Sequence, residues 1–270
     1  MVNLFGNGFI GSYYSKHYDT VVNSRNDLIP RFKDVLYTIS TVTNSSIEAN
    51  PYIDIETNLI TLMRVLENWR GRYRGGVFNF VSSWFVYGNT ELPAREDGVC
   101  NPVGIYSITK HAAERLLDAY CTQFDLRYRI IRLANVVGAG DHKAGQSKNV
   151  FNYLIKEAKY NHPVHLYCNG EMTRDYIHIH DACEAIHRIV STGDVNATYN
   201  VGNGISTSMN EVLRLARSFG SSSSITLIDE PPPYHFYIKD MVLDNTKLLG
   251  LGYRPSYTVD MMVKDVYNAS

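Results

Sequence analysis

The chain opens on a short apolar run, Met1-Val2-Asn3-Leu4-Phe5, that ends at Gly6-Asn7-Gly8-Phe9-Ile10-Gly11-Ser12. These residues read as a buried strand, a glycine-rich turn and the start of a helix. Gly6 permits the tight turn, Gly8 leaves the backbone bare for a close ligand, and Gly11 lets the helix sit against the strand. The first turn of such a helix offers unbonded N–H groups and the positive end of its dipole, which together suit a phosphate. The segment is therefore expected to open an α/β sheet. The backbone of Gly6, Gly8, Phe9, Ile10 and Gly11 is expected to face the pyrophosphate of a dinucleotide.

Periodicity extends the pattern. A helix over about 10–18 and a strand over 19–24 come first, then a buried strand over 34–40 that closes on Ser40. An amphipathic helix over 55–69 has Ile55, Leu59, Ile60, Met63, Val65 and Leu66 as its apolar stripe. A strand over 77–83, a helix over about 103–124 and a strand over 127–133 follow. Alternating β and α elements imply a parallel, doubly wound sheet. With 270 residues, 44% of them apolar, the chain can bury a full core, as one intertwined unit or two unequal lobes. Lys and Arg total 26 against 27 for Asp and Glu, so no polyanion-binding surface is expected, and neither nucleic acid nor an anionic membrane is an expected partner. No apolar run approaches the ~20 residues of a membrane span, and no signal-peptide pattern opens the sequence. Cys100, Cys121, Cys168 and Cys183 show no CxxC or zinc spacing. A reducing cytoplasm is the expected location.

Two polar constellations punctuate these elements. Val77-Phe78-Asn79-Phe80-Val81 runs into Ser82-Ser83, at the carboxyl end of a strand, where open α/β sheets bind ligands. A serine hydroxyl there can hold a substrate oxygen. Tyr106-Ser107-Ile108-Thr109-Lys110 places a phenol and an ammonium four residues apart, on one face of a helix. A free tyrosine ionises near pH ~10. A positive charge beside it favours phenolate, so the pair can exchange a proton with an alcohol or a ketone.

In chain order, the glycine turn, Ser82-Ser83-Trp84-Phe85-Val86-Tyr87-Gly88, Tyr106-x-x-x-Lys110 and Arg174-Asp175-Tyr176-Ile177-His178-Ile179-His180-Asp181 resemble the extended short-chain dehydrogenase/reductase family, in its nucleotide-sugar epimerase/dehydratase branch. Arg132-Leu133-Ala134-Asn135-Val136-Val137-Gly138 and Tyr199-Asn200-Val201-Gly202 are similar to further segments of that family. The resemblance implies a Rossmann-type domain over 1–138 plus about 176–205. It implies a smaller C-terminal lobe for the nucleotide-sugar substrate over about 139–175 and 206–270. Ser83, Tyr106 and Lys110 become the implied catalytic trio. Lys110 would lower the phenol's ionisation and, with Tyr106, hold the nicotinamide ribose. Asn135, Asn149 and Arg174, together with Ser83, Trp84 and Phe85, become the implied substrate contacts. An arginine fork suits a diphosphate.

The chain departs from the family at three places. Relatives that use NAD carry an acid after the second strand. Here stand Asn23, Ser24 and Arg25, which suit the 2′-phosphate of NADP(H), although Asp27 lies near. Residues 26–33 are too few for the helix–strand–helix that relatives insert there, so one strand is expected to be missing. Dehydratases use an Asp-Glu pair where this chain has Trp84 and Phe85, which move no protons, so dehydration is disfavoured. An NAD(P)-dependent epimerase, acting at a sugar carbon such as C4, is placed first. An NADPH-dependent 4-ketoreductase comes second and a non-catalytic dinucleotide sensor third. His178 and His180 alternate as a strand pair could, but the resemblance makes this stretch a strand-to-helix junction, and no metal is expected. His142 and Lys143 read as a solvated loop. Apolar residues Ile60, Met63, Leu116 and Leu117 permit a homodimer.

Overall fold

The computed structural model describes residues 1–24, 26–41, 50, 52–141, 149–233 and 237–270. Arg25, His142 and Lys143 lie outside the described residues. β1 (Val2–Phe5) is buried along its length and feeds the glycine turn and α1 (Phe9–His17). β2 (Thr20–Asn23) and β3 (Val35–Tyr37) follow, with no helix or strand between them among the described residues. A helical rod comes next, built from α2 (Ile53–Ile55), a π turn (Glu56–Ile60) and α3 (Thr61–Arg70). β4 (Val77–Ser83) passes through a 3₁₀ turn (Trp84–Tyr87) on the way to α4 (Ile105–Gln123) and β5 (Arg127–Leu133). The remainder is β6 (Asn135–Val137), α5 (Val150–Lys159), β7 (Val164–Tyr167), β8 (Thr173–His178), α6 (Ile179–Thr192), β9 (Ala197–Val201), β10 (Ser206–Ser208), α7 (Met209–Arg217), β11 (Ile225–Ile228), α8 (Thr246–Gly250) and α9 (Val259–Ala269).

Six strands form the main sheet in the order β2-β1-β3-β4-β5-β9, and every pairing is parallel. Helices cover both faces, which is why β1, β3 and β4 are buried throughout. β2 is the edge. The strand that lies outside it in the common order 3-2-1-4-5-6 has no counterpart, because residues 26–33 leave no room for a crossover. Two buried asparagines fasten this short loop instead. Asn23 Nδ2 donates to the carbonyls of Asp27 and Ile29, each at 2.9 Å. Asn3 Nδ2 donates to Asn23 Oδ1 at 2.5 Å, and Asn3 Oδ1 accepts from the Arg31 N–H.

A smaller lobe gathers the sheet β10-β8-β6, the pair β11-β7 and helices α5, α7 and α9 around Phe151, Ile155, Leu213, Met262 and Val263. The expected boundary at 206–270 does not hold throughout. Ile238, Met241, Leu243, Leu248 and Tyr253 pack into the core of the main sheet. The chain returns there because Ala94 bonds to the backbone of Val242 and Asp244 across the molecule.

One local expectation is corrected. In the rod over 53–70 the buried face is Asp54, Asn58, Leu62, Val65, Leu66 and Trp69, while Ile55 and Ile60 point outward. The rod carries apolar residues on both faces, so composition alone misplaces the register. The strand-to-helix junction implied at His178–His180 is present: His178 ends β8 and His180 lies in the first turn of α6, with His178 capping that helix by accepting from the His180 N–H at 3.2 Å.

Candidate functional site

The glycine turn is shaped as the sequence expects. Gly6 adopts φ +103°, and a Cβ there would sit 2.5 Å from Thr38 Oγ1. A Cβ on Gly11 would overlap the Gly6 carbonyl oxygen, so only glycine lets α1 approach the turn. At Gly8 a Cβ would meet open space. Gly8 is also the N-cap of α1, no side chain caps the helix, and its first turn holds no acid. Bare backbone, an uncapped helix start and open space above it fit the pyrophosphate of a dinucleotide. Thr38, just past β3, braces the turn with Oγ1 at 3.0 Å from the carbonyl oxygens of both Phe5 and Gly6.

Ser83, Tyr106 and Lys110 come together at the carboxyl end of β4. Ser83 caps the 3₁₀ turn by accepting from the Phe85 N–H at 3.4 Å. Because successive strand residues point to opposite faces, Ser82 does not share this role. Its Oγ is buried with no hydrogen-bond partner among the described residues. Tyr106 lies on the buried face of α4 with Lys110, Ala113, Leu117 and Cys121, which explains both the helix and its seat against the sheet. The Tyr106 hydroxyl meets the side chains of Ser83 and Ser40. Burial pushes its ionisation up, the two serines pull it back, and the carboxylate of Asp54 pushes it up again.

Lys110 is only 1% exposed, and burial pushes its amine down to about 7. Nζ donates to the Val81 carbonyl at 2.7 Å and stands 4.2 Å over the Phe80 ring. It is thus anchored beneath β4. Phe85 turns its ring edge to Tyr106 at 5.9 Å and 86° and stacks on Trp84 at 3.9 Å. Trp84 is buried in the main core, so of this pair only Phe85 is partly open to a ligand.

At the end of β2 the residues divide. Asn23 serves the fold, as described above, which overturns its expected place as a cofactor contact: both amide hydrogens are taken by the 26–31 loop. Ser24 is exposed. The carboxylate of Asp27 is held by Arg31 Nη2 at 2.7 Å and by the Ile29 N–H at 3.1 Å. Among the expected substrate contacts, Asn149 caps α5 by accepting from the Asn152 N–H at 3.3 Å. Asn135 Nδ2 donates to the Asp175 carbonyl at 3.2 Å. The Arg174 guanidinium lies 5.4 Å over Trp84 and donates to the carbonyls of Thr173, Ile238 and Lys239. Asp54, Asn58 and Thr109 are polar residues of this neighbourhood that sequence reasoning passed over. Their signal was two polar residues, Asp54 and Asn58, at a spacing of four on a helix otherwise rich in apolar residues.

His180, Asp181 and Glu184 form a carboxylate–imidazole group. Asp181, however, is fully engaged, accepting from the N–H groups of Ser256 and Tyr257, each at 2.9 Å, and from Ser256 Oγ at 2.5 Å. That group is a tie to the segment leading into α9.

A parallel doubly wound sheet, a glycine turn with open space over Gly8 and a Ser–Tyr–Lys cluster beside it define a Rossmann-type enzyme of the nicotinamide dinucleotide class. The sequence profile of the NAD dependent epimerase/dehydratase family matches residues 26–202, and the chain belongs to that family. A putative UDP-glucose 4-epimerase of Methanocaldococcus jannaschii is 25% identical, over 97% of this chain and 95% of its own length. The fold is shared with the UDP-glucose 4-epimerase of Thermotoga maritima in complex with UDP-glucose, at a TM-score of 0.86 and 22% identity, covering 99% of this chain and 97% of the other. It is likewise shared with RMD of Pseudomonas aeruginosa in complex with NADPH, at a TM-score of 0.85 and 20% identity, covering 99% and 98%.

Proposed function

We propose that this protein is an NAD(P)-dependent nucleotide-sugar epimerase in which Tyr106 is the acid–base group. The observation that carries the reading is the meeting of Ser83 and the Tyr106 hydroxyl at the carboxyl end of β4, two strands from the open backbone at Gly8. Ser83 holds the reacting sugar oxygen, and Tyr106 takes the proton from that oxygen and later returns it. Lys110 keeps the floor of the site in place through Val81 and gives the nicotinamide ribose a partner. A bound nicotinamide would supply the hydride acceptor and donor for this exchange. Phe85, beside Tyr106, offers the sugar an apolar edge and no second proton carrier, which argues against dehydration. A relative that covers 97% of this chain is a putative UDP-glucose 4-epimerase, which supports C4 as the carbon concerned. Arg174, Asn135 and Asn149 border the substrate lobe and are proposed to serve the diphosphate and nucleotide.

NADP(H) is the favoured cofactor. With Asp27 engaged by Arg31, no free carboxylate stands at the end of β2 among the described residues to grip a ribose diol. That same observation favours the second reading, reduction of a 4-keto sugar by NADPH. Apolar side chains exposed on α4 (Ile108 and Leu116) and in the turn before α3 (Ile60) support a homodimer. No helix among the described residues is long and apolar enough to cross a membrane, in keeping with a cytoplasmic enzyme.

Mass spectrometry of the co-purifying cofactor, followed by a screen of UDP-, dTDP-, GDP- and CDP-sugars, tests the proposal. Isomer formation without net cofactor oxidation is expected. Stoichiometric loss of NADPH with a keto sugar would instead establish the reductase. Tyr106→Phe is expected to lower turnover by roughly 100-fold or more while cofactor binding persists; undiminished turnover would remove Tyr106 from the chemistry.

A further inference from the structure

The loop after β3 carries three hydroxyl residues that face three different parts of the site. Thr38 braces the glycine turn, Ser40 meets the Tyr106 hydroxyl, and Thr41 Oγ1 donates to Asp54 Oδ1. Asn58 ties the last two together. Its Oδ1 lies 3.1 Å from Ser40 Oγ, whose hydroxyl is also 2.6 Å from the Thr41 carbonyl, and accepts from the Thr41 N–H at 3.2 Å. Its Nδ2 donates to Thr41 Oγ1 at 2.9 Å and to Thr109 Oγ1 at 3.0 Å. Thr109 lies on α4 and donates to the Tyr106 carbonyl at 3.0 Å. A chain of hydrogen bonds therefore runs from Asp54 to both the side chain and the backbone of Tyr106.

Asp54 is 0% exposed, and its Oδ2 has no hydrogen-bond partner among the described residues. A buried carboxylate with an unfilled acceptor is unfavourable. Packing does not ask for one, since Leu62, Val65 and Leu66 continue the same buried face with hydrocarbon. The helix is also locally altered to keep the residue where it is. Asp54, Asn58 and Leu62 recur every four residues, a spacing that drifts off one face of a 3.6-residue helix. The π turn over Glu56–Ile60 is wider than an α turn and absorbs that drift. Such turns concentrate at functional sites.

We propose that Asp54 is a positioning residue for Tyr106: it anchors the Thr41–Asn58–Ser40 chain that aims the phenol hydroxyl, and it sets a negative charge facing that hydroxyl. The inference rests on the reading of Tyr106 as the acid–base group. Among the described residues, the groups that act on the phenol include Ser83 from β4, the Phe85 ring edge from the 3₁₀ turn, Ser40 from the loop after β3 and Asp54 from α2. Lys110, one turn along α4, is directed to the Val81 carbonyl. Asp54 acts with burial to hold Tyr106 in its neutral form, and the serines act against it. A neutral phenol is the form that gives a proton to a ketone oxygen.

Two variants separate anchoring from charge. Asp54→Asn keeps an oxygen for Thr41 and removes the charge; Asp54→Leu removes both. The readout is fluorine NMR of protein carrying 3-fluorotyrosine, in which fluorination brings phenol ionisation into an accessible range. The Tyr106 resonance is identified by its loss in Tyr106→Phe. In Asp54→Asn the Tyr106 midpoint is expected to move toward acid by about one pH unit, and the pH profile of turnover should move with it. In Asp54→Leu turnover is expected to fall about tenfold or more at unchanged cofactor affinity. A titration of Asp54→Asn that coincides with the wild type overturns the proposal, as does wild-type turnover in a folded Asp54→Leu; if that variant does not fold, Asp54→Asn decides alone. Because the resonance reports with no substrate present, a shifted midpoint in a protein inactive on every nucleotide sugar would support the coupling and sink only the catalytic reading.

Discussion

Gly8 and Gly11 stand three residues apart and carry opposite expectations. Alanine at Gly8 places its methyl in open space at an ordinary backbone angle, φ −81°. The fold should keep its thermal midpoint within about 2 °C, while cofactor affinity falls because the methyl stands where the pyrophosphate approaches. Alanine at Gly11 drives its methyl into the Gly6 carbonyl and should lower both the midpoint and the affinity. Thermal unfolding and a fluorescence titration with NADPH on both variants check the contrast. Lys110 gives a pH dependence. Its folded value, about 7, lies below the ordinary 10.5. Between those two values the unfolded chain binds a proton that the folded chain has released, so stability rises with pH across the window, by at most about 1.4 kcal/mol per pH unit. Lys110→Met lacks the group. Urea unfolding at pH 7 and pH 10 should therefore show the wild type gaining on the variant toward alkali, and parallel curves would contradict a buried neutral amine.

Asp175 shows how elements remote in sequence are fixed to one another. Its Oδ1 accepts from the Asn203 N–H at 2.8 Å, and its Oδ2 accepts from Gly204 at 3.1 Å and Leu243 at 3.2 Å. The one side chain thus joins β8, the loop after β9 and the segment that returns to the main core. Asp175→Asn would set an amide donor against backbone donors, and a loss of about 2–4 kcal/mol is expected from urea unfolding, with the secondary structure retained. This tie also marks the limit of what the sequence discloses. The glycine turn, the buried strand ending in Ser83 and the helix bearing Tyr106 are legible because each depends on local spacing. The face of the rod over 53–70 is not, since Ile55 and Ile60 mimic a core stripe while Asp54 and Asn58 take the buried positions. Nor is the task of Asn23, whose polar side chain looks free for a ligand until the short loop folds back on it. The seat of Ile238–Tyr253 on the main core depends on pairing with Ala94, which no local pattern encodes.

At the scale of the whole molecule, apolar side chains are exposed along α4 and in the turn that leads into α3. Ile60 is 45% exposed, Ile108 51% and Phe124 40%. Two grooves of about 400 Å³ and 330 Å³ lie side by side there and share Met63 as a common wall. Part of the charge on this face is paired within it, while Arg64, which lines the first groove, has no ion pair among the described residues. Arg70 bonds to Glu67 at 2.9 Å and to the Tyr120 hydroxyl at 2.8 Å and stacks over Phe124 at 4.1 Å. A second copy would thus meet hydrocarbon and partly neutralised charge, and a two-fold axis between the helix pairs would match each groove to the same surface of its partner. Sedimentation velocity at micromolar concentration should then give a mass twice 30.6 kDa. Met63→Glu combined with Leu116→Glu places one charge at the shared wall and one in the second groove and should yield a monomer. Because Tyr106 and Lys110 sit on the opposite, buried face of α4, that monomer should still bind the cofactor. A wild-type chain that sediments as a monomer, or a double variant that remains a dimer, would put the contact elsewhere and leave this apolar face to another partner.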